Sequence, residues 1–219
     1  MNRAALVVIT DGRSDYLERT WESFSRLCDY DFHTTILVDD SGSKRNNAAA
    51  AELVNPDHAV FHGRRMGGAA SIRSAWHALR EIDVEYVFHL EDDWTFLGSV
   101  PVGPMIDILD ADDDLANVVL RRQPWGTEGP GGYIAANPAA FTAITVNGHD
   151  YMRHSLGFWL NPGVYRRAVT GHRWPANGHE HDFTARLTPL GYRFAVYGKP
   201  SDPPRCWHIG NERSASWTW

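Results

Sequence analysis

Only two cysteines, Cys28 and Cys206, stand in the 219 residues, and neither has metal-binding or redox spacing around it. A disulfide-built scaffold is excluded, and a reduced, cytoplasmic setting is the expectation. No block of five or six like charges occurs, and the net charge is −6. That argues against a protein that coats DNA, because phosphate binding needs a basic face. No apolar run approaches the ~20 residues of a membrane span. In MNRAALVVITDGR the apolar part is too brief for a secretory signal and no small-residue cleavage site follows, so it reads as a first core strand. There is no internal repeat and no low-complexity linker.

What is present is an ordinary globular composition, 43% hydrophobic and 22% charged, at a length suited to one sizeable core. Tryptophan is abundant, with nine residues. Several stand beside polar motifs, where an aromatic face can stack on a ring or sugar. The expected organisation is one domain over 1–219, in two halves, 1–98 and 99–219.

Along the chain, strands alternate with helices. A continuous apolar run from Ala5 predicts a strand buried on both faces. Leu17, Trp21, Phe24 and Leu27 share one helix face, with Asp15 and Glu18 as a start signal. Strands are predicted at Thr34–Val38, Ala59–His62 and Tyr86–Leu90, with helices over Asn46–Val54 and around Ile72, Ala75, Trp76 and Leu79. This order implies βαβ units, an α/β fold and a mostly parallel central sheet flanked by helices. The second half is less regular. Strands are predicted at Val118–Arg121, Phe141–Val146, Ser155–Leu160 and Phe194–Tyr197, and helices at Val164–Val169 and Asp182–Leu187. WGTEGPGG, from Trp125 to Gly132, reads as a loop.

In an open parallel sheet, ligands bind beyond the carboxyl ends of the strands. Four successive strand ends carry charge: Thr10-Asp11-Gly12-Arg13, Asp39-Asp40, His62-Gly63-Arg64-Arg65 and Glu91-Asp92-Asp93. Arg13, Arg64, Arg65 and Arg73 suit phosphate or carboxylate. Gly67-Gly68 lets backbone come close at a helix entrance, which favours an anion. Asp39 and Asp40 can accept hydrogen bonds from hydroxyls or a base. The triplet can hold a hard divalent cation together with substrate phosphates, the alternative being a strand end neutralised by nearby arginines. Base, sugar hydroxyls, phosphates and metal together describe a nucleoside diphosphate. Alternation sends Glu91 and Asp93 to one side and Asp92 to the other. Asp93 is therefore expected to face the metal, Asp92 a ribose or the metal, and Glu91 to orient neighbours.

These segments resemble glycosyltransferases of the GT-A fold. TILVDDSGS, RRMGGAASIRSAW and EHDFTARLTPLGYRF resemble family 2 enzymes, and EDDW is similar to the EDD form of the DxD motif in N-acetylglucosaminyltransferases. The resemblance implies a single Rossmann-like GT-A domain over 1–219, with 1–98 as the nucleotide-sugar-binding half and 99–219 as the acceptor-binding and catalytic half. It implies nucleotide binding by Thr10, Arg13 and Asp39, and Mn²⁺ or Mg²⁺ on Asp93 with His208 of CWHIGNERSAS as a second ligand. It places Glu180 where the usual catalytic aspartate sits, with Asp182 two residues on; either is the general base. UDP is the nucleotide by family habit.

The reaction expected is metal-dependent transfer of a sugar from a nucleoside diphosphate sugar to an acceptor hydroxyl, inverting if the base lies opposite the leaving group. Arg64, Arg65 or Arg213 would stabilise that leaving group, and the Gly126–Gly132 loop would close over the donor. Trp94, Trp125, Trp159 and Trp174 are candidates for stacking on sugar. The acceptor stays open among a glycan, a lipid, a protein and a hydroxylated nucleobase. Arg121, Arg122, Arg153, Arg166 and Arg167 are candidates for a local basic surface, and oligomerisation is one way to complete the site. Three rivals stand beside this: a sugar nucleotidyltransferase, a zinc hydrolase using His179–Asp182, and a tryptophan-rich sugar-binding module. On a helix, His179 and His181 point to nearly opposite sides, which disfavours the zinc site.

Overall fold

The computed structural model describes residues 3–124, 128–176 and 178–210. Its first part is a run of β-α units: β1 (Ala4–Thr10), α1 (Ser14–Leu27), β2 (Thr34–Asp39), α2 (Lys44–Val54), β3 (His58–Phe61), α3 (Gly68–Ala78) and β4 (Tyr86–Glu91). There follow β5 (Trp94–Phe96), α4 (Val102–Ala111), β6 (Leu115–Val119), α5 (Gly132–Ala136), β7 (Phe141–Val146), β8 (His149–His154), β9 (Gly163–Arg166), α6 (Glu180–Leu187), β10 (Arg193–Tyr197) and β11 (Cys206–His208).

Nine strands form one sheet in the order β3-β2-β1-β4-β9-β6-β10-β8-β7. β1 pairs in parallel with both β2 and β4, and β2 with β3. The four charged strand ends therefore lie on one rim. β1 shows why: all seven of its residues are buried. Leu6 and Val8 enter a core with Phe24 and Phe88, while Val7 and Ile9 enter a second core with Ile72 and Trp76 on the opposite face. Alternate side chains of a strand point to opposite faces, so helices must cover both.

The second half enters the same sheet. β9 inserts antiparallel between β4 and β6, so the stretches 1–98 and 99–219 interleave. Gly163 permits that approach, since a Cβ there would lie 2.5 Å from the Val118 carbonyl oxygen. The helix expected at Val164–Val169 is thus a strand followed by a 3₁₀ turn at Arg167–His172, because two open ladders flank the segment. The strand expected at Ser155–Leu160 does not form. Its N–H groups turn to α6 instead: Phe158 donates to Thr184 Oγ1 at 2.9 Å, and Leu160 to Glu180. α5 begins at the last glycine of the expected loop.

A separate two-stranded sheet pairs β5 with β11, setting His208 opposite Trp94. This small ribbon brings the C-terminal histidine to the acidic tip of β4.

Candidate functional site

The acids at the tip of β4 divide at a turn and not by the strand alternation expected: Glu91 ends the strand, and Asp92 and Asp93 form the turn into β5. Asp92 is completely buried and faces inward. Its carboxylate accepts from Thr10 Oγ1 at 2.7 Å, from the Asp11 N–H at 3.3 Å and from Arg13. Asp93 turns toward the ribbon. Its Oδ2 meets Arg13 Nη2 at 3.1 Å and His208 Nε2 at 3.2 Å, while its buried Oδ1 has no hydrogen-bond partner among the described residues. Glu91 is partly exposed, with Oε1 3.6 Å from His89 Nε2.

Burial lifts the Asp93 carboxyl, but the His208 contact and Arg13 outweigh it and hold the group below the usual carboxylate range. Burial pushes Asp92 up, with Arg13 opposing the rise and Asp93 adding to it. Arg13 also bonds Asp11 Oδ1 through Nε at 2.8 Å, so one guanidinium serves three carboxylates. A basic side chain thus neutralises part of the triplet.

The set still fits a divalent ion. Two donors about 2.1 Å from one ion and at right angles stand about 3 Å apart, which is the spacing of Asp93 Oδ2 and His208 Nε2. Asp93 Oδ1 is a buried oxygen with unused lone pairs. Gly210 keeps the place open, since a Cβ there would lie 2.5 Å from Asp93 Oδ2. Trp94 packs edge-on against the His208 ring at 4.8 Å, and Gln123 fixes the His208 backbone from both sides, accepting its N–H at 2.9 Å. Among the described residues no group of three or more His, Cys, Asp or Glu converges. Any ion here would complete its shell with phosphate oxygens or water, and the zinc reading of His179–Asp182 finds no support.

The other expected residues divide into rim and scaffold. Asp40 is consumed by its own loops: it accepts from the Met66 N–H at 2.7 Å, the Gly67 N–H at 2.8 Å and His62 Nδ1 at 2.6 Å. Asp39 is buried and accepts the Ser41 N–H at 2.7 Å, with burial raising its carboxyl. Gly68 is the buried first residue of α3. Arg64 and Arg65 are exposed on the rim, and Arg65 reaches the Asp11 carbonyl at 3.0 Å. Arg73 is tied to the carbonyls of Pro175 and Ala176.

Glu180 opens α6 and lines a cavity of about 340 Å³ with Arg122, Glu128, Tyr133, Trp159 and Asn161. Burial, against the Leu160 N–H, pushes its carboxyl up to about 7; Glu91 adds to the rise and Arg122 opposes it. Asp182 is exposed and accepts the His179 N–H at 2.9 Å, which closes the first turn of the helix. Gln123 and Glu128 escape sequence reasoning. Their one signal is position just beyond β6, a further strand end on the rim. Trp94 and Trp174 are core residues, whereas Trp159 reaches the cavity. Trp125, Gly126 and Arg213 lie outside the described residues.

The arginines named for a basic surface are each hydrogen-bonded or ion-paired within the protein. Arg166 donates to the carbonyls of Leu115, Leu109 and Asp112, and Arg167 to those of Leu79 and Arg80. Arg121 donates to those of Pro200, Asp202 and Gly131. Arg153 pairs with Asp112 and Asp114. No described helix is long and apolar enough to cross a membrane.

No protein-family model matches the sequence, and no curated protein does. Solved structures do. TarS 1–349 of S. aureus in complex with UDP-GlcNAc superposes with a TM-score of 0.68 at 15% identity, over 100% of this chain and 60% of that one. The mannosyltransferase PcManGT of Pyrobaculum calidifontis, in complex with GDP-Man and Mn²⁺, gives 0.67 at 17%, over 97% and 58%. GalNAc-T7 with UDP, GalNAc and Mn²⁺ gives 0.64 at 13%, over 95% and 44%. The chain thus spans roughly half of each of these proteins. At such identities the likeness carries the fold: the chain has the α/β architecture of GT-A glycosyltransferases.

Proposed function

We propose that the chain is a metal-dependent glycosyltransferase, moving a sugar from a nucleoside diphosphate sugar, UDP-linked in the first instance, to an acceptor hydroxyl. The observation that carries this is the Asp93–His208 pair, held at the carboxyl rim of the sheet with an unused carboxylate oxygen. The fold likeness to proteins solved with nucleotide sugars and Mn²⁺ supports it.

Asp93 and His208 would hold Mn²⁺ or Mg²⁺, which when bound neutralises charge on the pyrophosphate leaving group. Arg65 and Arg64, exposed beside the rim, are placed to meet phosphate. Asp92, Thr10 and Asp40 act as scaffold, since their polar atoms are already committed inward. Glu180 is the base rather than Asp182: it lines the cavity, and its pKa suits proton transfer near neutral pH. The acceptor oxygen bonds to the anomeric carbon, the bond from that carbon to phosphate breaks, the acceptor proton passes to Glu180, and the nucleoside diphosphate leaves. A base facing the leaving group across the sugar gives inversion.

The test is a screen of nucleotide sugars for Mn²⁺-dependent thermal stabilisation, followed by product analysis. Released nucleoside diphosphate supports transfer. Pyrophosphate would point to a nucleotidyltransferase, and binding of free glycan without nucleotide or metal to a sugar-binding module.

A further inference from the structure

We propose that the cavity beside Glu180 is an acceptor site for one uncharged, polyhydroxylated ring, the terminal sugar of a glycan; this rests on the transferase reading above. Its size and its walls both favour that occupant. At about 340 Å³ it lies near the small end for small-molecule sites, about 300–1,000 Å³. That volume accommodates a terminal sugar residue.

One wall is aromatic. Tyr133 and Trp159 meet edge to face, with centroids 5.8 Å apart and planes at 87°. His154 stacks on Trp159 at 4.4 Å and backs it from behind. Glu128, Asn161 and Glu180 add polar groups to the lining. A sugar ring has the matching form: an apolar C–H face and a rim of hydroxyls that donate to carboxylates and amides.

Both cations of the lining, Arg121 and Arg122, are already hydrogen-bonded within the protein and stand beside the acids Glu128 and Glu180. Arg122 Nη2 is paired with Glu128 Oε1 at 2.8 Å, and its Nη1 donates to the Gln123 carbonyl at 2.8 Å. Arg121 is committed to backbone carbonyls. Burial holds His154 neutral, its pKa pushed down to about 3. A phosphate would compete with these pairings and face the Glu128 and Glu180 carboxylates, which disfavours an anionic acceptor. A hydroxylated base within a nucleic acid would bring phosphates with it, and Arg153, Arg166 and Arg167 are committed elsewhere.

Saturation-transfer NMR on the full chain tests this, with methyl glycosides of neutral sugars, a hydroxymethyl nucleoside and glycerol phosphate as probes, each with and without UDP and Mn²⁺. The expected result is transfer to the ring C–H protons of one or more neutral glycosides. Trp159→Ala should weaken that binding at least about tenfold, and Trp159→Phe much less. Should Trp159→Ala fail to fold, Tyr133→Ala, at a half-exposed position, serves in its place. Asp93→Ala should keep glycoside binding while losing the metal. Preferential binding of glycerol phosphate or the nucleoside, or glycoside binding indifferent to both aromatic truncations, would overturn the inference. Nucleotide-sugar binding with no glycoside binding would overturn it alone and leave the proposed function standing. Glycoside binding with no nucleotide or metal binding would uphold the pocket and refute transfer.

Discussion

His208 Nε2 lies 3.2 Å from Asp93 Oδ2, joining the last described strand to the tip of β4. The β5–β11 ribbon makes the contact, and Arg13 shares the same carboxylate oxygen. The proposed metal site and the arginine pairing, alternatives in the sequence, thus fall on one atom. A cation arriving at Asp93 must either share it with Arg13 or displace Arg13.

That sharing has a consequence for stability. Arg13→Met leaves Asp11, Asp92 and Asp93 without their common cation, and breaking such a buried network costs about 3–5 kcal/mol. The variant should melt well below the wild type in EDTA and regain more of its melting temperature on Mn²⁺ addition than the wild type gains. Thermal denaturation at several Mn²⁺ concentrations checks this. An unchanged melting temperature in EDTA would show that the pairing is not used.

Glu180→Gln should lower kcat by about 10²–10⁴-fold with little change in donor KM, since a general base contributes that much. Asp182→Ala should instead cost about 1 kcal/mol of stability through the lost first-turn bond and leave kcat near wild type. With the Glu180 pKa near 7, the rate should fall as pH drops below neutrality.

Stability carries the opposite sign at this residue. A carboxyl whose folded pKa is raised binds its proton more tightly when folded, so stability declines as pH rises from the unfolded value near 4.5 to about 7. Glu180→Gln should therefore melt higher than the wild type at pH 8 and show no such gain at pH 4.5. Scanning calorimetry at the two pH values reads this directly.

Asp40 is scaffold in this account. Asp40→Ala strands the N–H groups of Met66 and Gly67 at the entrance to α3 and should cost about 3 kcal/mol. Arg64→Ala, at an exposed position, should stay within about 0.5 kcal/mol. Urea melts of the two variants make the comparison.

The rim was legible in the sequence because parallel β-α units send every carboxyl end the same way, and apolar runs such as ALVVIT mark the strands. What each acid would meet was not. Nothing in DDSGS says that Asp40 will be consumed by two backbone N–H groups from beyond β3. The stretch at 155–160 has strand composition, yet its N–H groups satisfy themselves on Thr184 and Glu180. That choice depends on α6 being packed alongside, which local pattern cannot report. α4 has no counterpart in the sequence reading, although Val102, Met105, Ile106 and Leu109 have helical spacing.

The most direct test is calorimetric titration of Mn²⁺ into the wild type, Asp93→Ala and His208→Ala, each with UDP present. The account predicts one site per chain in the wild type, lost in Asp93→Ala and weakened at least about tenfold in His208→Ala. Equal Mn²⁺ affinity in all three would contradict it, and the tip of β4 would then be a salt-bridged strand end and nothing more.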